Sequence, residues 1–182
     1  MIFNLFKKKN SNRAIVDRQY AILTSSARIP FFYSDLDVPD TVMGRFEMLS
    51  LVMILFFRRT SGSGQSGKEL AQEIIDAFFQ DIDHSIRELG VGDQSVPKRM
   101  KKFAGMFYGR VQSYGEALQA EDGAALAQAL RRNIHPDMSE APSMEGLAAW
   151  ALRTEKRLAA LSDDDIARGA LQLPVPGQED LQ

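Results

Sequence analysis

The stretch with the strongest look of chemistry is Gly62 to Glu69, GSGQSGKE. A phosphate-binding loop reads G-x-x-x-x-G-K followed by Ser or Thr. Gly62, Gly67 and Lys68 fit that pattern, and an apolar run precedes them. Such a loop aims backbone N–H groups at phosphates and adds lysine as a counter-charge. Its last position must carry a hydroxyl to hold magnesium. Here that position is Glu69, whose carboxylate repels phosphate. A local account fits better. Ser66 and Glu69 form an S-x-x-E capping box, and the glycines make a flexible connector over Thr60 to Gly67. A nucleotide-binding protein remains the remote alternative.

A second group is Asp81, Asp83, His84 and Glu88. Aspartates two residues apart on a helix point to different sides, so they form no acid–base pair. His84 and Glu88, four apart, share a side. Two ligands from one helix are too few for a metal when the other histidine, His135, lies far along the chain. The plain reading is a solvated polar face, with no catalytic, cofactor-binding or metal-ligating residues assigned and no cofactor expected.

The third group is cationic: Lys98, Arg99, Lys101 and Lys102. They fall in the first turns of an expected helix, where the dipole favours anions by about 0.3–1 kcal/mol per charge. Two readings stand. The cations pair with Glu73, Asp81 or Glu88 across a turn, or face solvent. Otherwise they receive an acidic partner such as phospholipid head groups, ribosomal RNA or an acidic protein loop. Exposed aromatic residues are not interleaved with them, which argues against reading of single-stranded RNA.

These groups all sit on or beside one predicted helical hairpin. Ala71, Ile74, Ile75, Phe78, Phe79, Ile82, Ile86 and Leu89 recur at steps of three and four, the period of a buried helical face. Val96, Met100, Phe103, Phe107, Val111, Tyr114 and Leu118 repeat the pattern in the second arm. Between the arms, Gly90 suits a left-handed cap, Asp93 or Ser95 can cap the next helix, and Pro97 suits its first turn. Gly90, Gly92 and Pro97 are therefore turn residues.

The chain of 182 residues with a net charge of −2 is long enough for one domain with a real core. It lacks cysteine, which excludes disulfides, thiolate metal sites and cysteine nucleophiles. The apolar run Met48 to Phe57 is about half of a membrane span. It reads as a buried helix over Val42 to Thr60, capped by Asp40 or Thr41. Further helices are expected over 13–28, 122–133 and 144–161, with a short one opening at Ser162. IPFFYSDLDVP, Ile29 to Pro39, reads as an ordered loop. The expected organisation is a basic and apolar N-terminal segment over 1–12, a helical domain over 13–172 and a disordered tail over 173–182. The fold class is all-α, a single-domain multi-helix bundle around a central hairpin.

Two blocks carry a family resemblance. ARIPFFYSDLDVPDTVMGRFEMLSL (Ala27 to Leu51) and DIDHSIRELGVGDQSVPKRMKKFAGMFYGRVQSYGEAL (Asp81 to Leu118) resemble the ubiquinol–cytochrome c chaperone family, with similarity over roughly Arg18 to Arg132. The resemblance implies an all-helical assembly factor for the cytochrome bc complex. Mitochondrial members act with a small helper protein, bind near the ribosomal exit tunnel and receive newly made cytochrome b. The absence of a long leader points to a bacterial version. The absence of a histidine near Leu51 and Val52 speaks against a haem-related role.

The family pattern falls on Asp40, Arg45, Glu47, Asp81, Asp83, Arg87, Lys98, Tyr108 and Arg110, among others. Asp40, Arg45, Asp81, Asp83, Arg87, Lys98, Lys101, Lys102, Tyr108 and Arg110 are the candidate residues for client or partner binding. Among them, Asp81, Asp83, Arg87, Lys98 and Arg110 are expected to form a client-facing or internally paired polar cluster. The expected partners are cytochrome b or another subunit of the cytochrome bc complex, and a small helper. DNA is not an expected partner. The runner-up is an adaptor on the ribosome or an anionic membrane surface, using the basic turn and the MIFNLFKKK start. The expected location is cytoplasmic, with a peripheral position at the inner membrane face open to it.

Overall fold

The computed structural model describes the backbone of residues 2–177 and the side chains of residues 13–177. The elements are α1 (Ile2–Ala27), α2 (Phe31–Ser34), α3 (Val42–Ser61), α4 (Gln65–Glu88), α5 (Val96–Gln119), α6 (Gly123–Ile134), α7 (Glu145–Ala159) and α8 (Asp163–Arg168). No strand occurs among the described residues. The all-α expectation is met. The basic start lies outside the described side chains, and α1 begins at Ile2, well before the expected start at Arg13.

The fold is built around α3. Thr41 caps it, its hydroxyl accepting from Gly44 N–H at 3.1 Å. Met48 and every residue from Ser50 to Phe56 are buried. A helix that is apolar on all sides must be enclosed. Here α1, α4, α5, α6 and α7 do so. Each large side chain removed from water contributes about 1.5–3 kcal/mol before conformational entropy is counted.

Around this axis α4 and α5 form the expected hairpin. Phe78 and Phe79 of α4 meet Phe107 of α5 with ring centroids 5.2 and 5.9 Å apart. Gly90 takes φ +77°, the left-handed geometry that glycine adopts without steric cost. Three details differ from the sequence reading, the first being Val111, which is 38% exposed rather than buried. Leu89 is not on the buried face. The helix ends at Glu88, the period ends with it, and Leu89 is 63% exposed. Ser95 stands at the N-cap of α5 without a side-chain bond, and Asp93 turns back to Arg87.

The Ser-Gly connector is not a flexible linker. Ser63 is buried, and its hydroxyl donates to Asp163 Oδ1 at 2.9 Å. The same carboxylate accepts from Arg59 at 2.8 Å and from Gly64 N–H at 3.3 Å. Those three donors hold the Asp163 carboxyl below its usual pKa range. The anion at the start of α4 is thus the protein's own side chain. The Ser66–Glu69 capping box does not form; Gly64 is the cap, and Glu69 accepts from Gln65 at 2.9 Å. Gly67 serves close packing, since a Cβ there would lie 2.5 Å from Ser63 Cβ.

The segment IPFFYSDLDVP is ordered, as expected, and holds the single-turn α2. Phe32 is fully buried edge-on to Trp150, with centroids 4.7 Å apart. The tail assignment requires correction over 173–177. Trp150 Nε1–H donates to Pro174 O at 3.1 Å, and Leu173 packs on the core. Buried tryptophan needs an acceptor for its N–H, and this strand of tail supplies it. Residues 178–182 lie outside the described residues.

Two glycines give opposite expectations. A Cβ on Gly44 would lie 1.9 Å from Pro39 O, so Gly44→Ala should destabilise the fold by about 1–3 kcal/mol or more. A Cβ on Gly105, midway along α5, meets nothing within 4 Å, so Gly105→Ala should stabilise it by about 1 kcal/mol. Urea denaturation of both variants measures the pair. Like-signed effects would contradict this packing.

Candidate functional site

The hairpin faces inward and outward, and its polar residues divide accordingly. On the inner side, Arg110 of α5 meets Glu47 of α3 in a two-pronged pair. Nε donates to Oε2 at 3.0 Å and Nη2 to Oε1 at 2.7 Å. Nη1 donates to Met106 O at 3.1 Å. Glu47 is only 3% exposed. Burial raises its carboxyl pKa, and the Arg110 guanidinium only partly offsets that rise. Tyr114, one turn on, is fully buried, and its phenol is raised first by burial and then by the Glu47 charge. This pair fixes the angle between α5 and α3.

Asp81, half-buried, is also paired within the fold. It accepts from the Tyr20 hydroxyl at 2.9 Å and so joins α4 to α1. Burial, followed by the charge of Asp81, raises the Tyr20 phenol. Asp83, Arg87 and Asp93 form an exposed chain at the corner, with contacts of 2.7 and 2.5 Å. Asp40 and Arg45 pair at 2.7 Å on the surface before and within the first turns of α3. The bond from Arg45 holds the Asp40 carboxyl below its usual range.

The expected single polar cluster of Asp81, Asp83, Arg87, Lys98 and Arg110 therefore does not form. Positions 81 and 83 lie on different sides of α4, and Lys98 and Arg110 are more than three turns apart on α5. Of the readings open for the basic turn, pairing across the hairpin does not occur among the described residues. Lys98, Arg99, Lys101 and Lys102 are exposed, with no ion-pair partner among the described residues. Of the acids proposed for them, Asp81 is held by Tyr20, and Glu88 pairs with His84 at 3.2 Å.

The outer side of the hairpin carries an aromatic ledge. Tyr108 is 57% exposed, with its ring 6.4 Å from that of Phe79. A shallow depression of about 560 Å³ runs beside it, lined by Asp76, Phe79, Gln80, Asp83 and His84. A second, of about 190 Å³, is lined by Phe57, Ala71 and Ile75 with polar neighbours at its rim. Neither encloses a small molecule, and no group of three His, Asp or Glu side chains able to hold a metal is gathered among the described residues. Open depressions that combine apolar side chains such as Phe79 and Ile75 with polar and charged neighbours suit a peptide segment laid along the surface.

A sequence model of the ubiquinol-cytochrome C chaperone family matches residues 34–173. The chain belongs to that family. The match extends past Arg132, where the resemblance was expected to end, and takes in α6, α7 and α8. The chain is 22% identical over 150 residues to ubiquinol-cytochrome-c reductase complex assembly factor 1 of Xenopus laevis, covering 82% of this chain and 74% of the relative. The Homo sapiens protein of the same name is 24% identical over 150 residues, but the match spans half of its length. The crystal structure of the Cbp3 homolog from Brucella abortus superposes with a TM-score of 0.87 at 50% identity, covering 96% of this chain and 97% of that one. The fold of this family member, hairpin included, thus has an experimental counterpart.

Sequence reasoning found Arg110 but did not place Glu47 among the site residues. The signal was present: a carboxylate at the head of the most apolar run needs a partner once that run is buried. Arg110→Met removes that partner and should cost about 3–5 kcal/mol at neutral pH. The cost should shrink as pH falls toward the ordinary glutamate range. A carboxyl whose folded pKa is raised contributes most below its unfolded pKa and loses that contribution as pH rises through the folded value. Urea denaturation at pH 5 and 7.5 checks the sign. A cost independent of pH would refute the buried pair.

Proposed function

We propose that this chain is a non-enzymatic assembly factor that holds a segment of cytochrome b while a cytochrome bc complex is built. Family membership over residues 34–173 carries this reading. The names of the relatives, reductase complex assembly factors, support it. The geometry supports the manner of binding. The hairpin's inner face is locked to α3, so its outer ledge of Phe79 and Tyr108 is offered on a rigid support. A helical client segment would set apolar side chains on that ledge and polar ones toward Asp76 and Asp83. Release needs no nucleotide, since a client that binds its own complex more tightly leaves by mass action.

Deleting the gene should lower the spectral signal of cytochrome b and quinol-oxidising activity together. Re-introducing the Tyr108→Asp variant, whose exposed position leaves the core intact, should restore both several-fold less well than wild type at equal protein level. Normal cytochrome b in the deletion strain would reject the proposal.

A further inference from the structure

The hairpin corner holds two features that the folded chain leaves unused. Lys98, Arg99, Lys101 and Lys102 crowd the first turns of α5, where the helix dipole opposes positive charge. Internal pairing would remove that cost, and acids are close by, but each has another role. Asp83 and Asp93 flank Arg87, Glu88 meets His84, and Asp81 meets Tyr20. The four cations remain free among the described residues. Beside them Leu89 is exposed at the corner itself.

The corner also stands clear of the main core. Ile86 and Val96 are buried, yet neither belongs to the core cluster around α3. Their burial at the end of the hairpin is thus separate from that cluster. A corner with an exposed leucine and four unpaired cations beside it has the makings of a membrane-surface contact. Lysine and arginine near an anionic bilayer are each attracted to it, and an aliphatic side chain at the tip enters the head-group region. No described helix is long and apolar enough to cross a bilayer, so such a contact would be made from the surface.

We infer that the α4–α5 corner docks on anionic phospholipid through Lys98, Arg99, Lys101, Lys102 and Leu89. Lipid is favoured over RNA because the tip residue is aliphatic and no exposed aromatic ring stands among the four cations to stack on bases. The acids of the corner do not cancel the patch. From Asp83 to Lys102 the five Lys and Arg outweigh the three Asp and Glu, and Arg87 neutralises part of the acid locally while the four cations stand together. This inference is independent of the client, because it is tested without one.

The full-length chain is mixed with vesicles of phosphatidylcholine alone or with roughly a third phosphatidylglycerol, at low and high salt, and bound protein is measured by co-flotation. Binding should require the anionic lipid and fall steeply with salt. Lys98→Glu combined with Lys101→Glu should weaken it by roughly tenfold or more, on the basis of the attraction per basic residue. Leu89→Ser, which keeps every charge, should weaken it about two- to tenfold, the range for withdrawing much of one aliphatic side chain from the interface. Unchanged circular dichroism and melting verify that these exposed substitutions leave the fold intact. Lys7→Ser, Lys8→Ser and Lys9→Ser, made together, should leave most of the binding in place. The inference is overturned if the wild type ignores phosphatidylglycerol vesicles at low salt. Hairpin variants that bind like wild type would overturn it too, as would the N-terminal substitutions alone abolishing binding. Tighter binding to a single-stranded RNA oligomer at the same salt would assign the patch to RNA instead.

Discussion

Everything in this fold follows from the need to enclose α3. From Met48 to Phe56 its side chains point in all directions and almost all are apolar. No single partner could cover such a cylinder, because a neighbouring helix shields only one stripe of it. Five helices from before and after it in sequence are needed, and the order of the chain is the order in which they are wrapped. The short α2 and the segment 173–177 finish the job around Trp150, where a buried indole N–H would otherwise lack an acceptor.

That enclosure explains how α4 and α5 divide their surfaces. Their inner faces are committed to the core through Ile74, Phe78, Phe107, Tyr114 and Leu118. Their outer faces are free, and the Glu47–Arg110 pair keeps them from swinging. A buried ion pair contributes little net stability compared with apolar packing, but removing one partner is costly, so it specifies one arrangement. A recognition surface benefits from such a constraint, because a pre-set face loses less entropy when it binds. The same helix thus presents a cation locked in the interior and, three turns earlier, four cations with no internal task.

The phosphate-loop pattern shows how a motif can share letters with a function it does not have. Two of its residues, Ser63 and Gly64, do meet an anion at the start of α4. The anion is the carboxylate of Asp163, almost a hundred residues later, and the assembly is a structural clasp between α3, α4 and α8. Backbone N–H groups at a helix start attract whatever negative group the fold brings there. Glu69 argues locally against a phosphate, but nothing local in GSGQSGKE announces the returning aspartate.

Periodicity and caps are local, and the sequence alone determined what depends on them. It placed α3, α4 and α5, the left-handed Gly90, the cap Ser162 and the family motifs, and it narrowed the cap of α3 to Asp40 or Thr41, of which Thr41 serves. Pairing is long-range, and tertiary structure alone decided it. Arg110 could have met Asp81 or Glu47, and the rotation of α5 about its axis selected Glu47. Asp81 could have met a lysine, and the packing of α1 gave it Tyr20 instead. The segment 173–177 reads as part of a proline-rich tail, and only the position of Trp150 gives it a place. A side chain's type states what it requires, whereas the chain's path through space states which of several suitable partners lies within hydrogen-bonding reach.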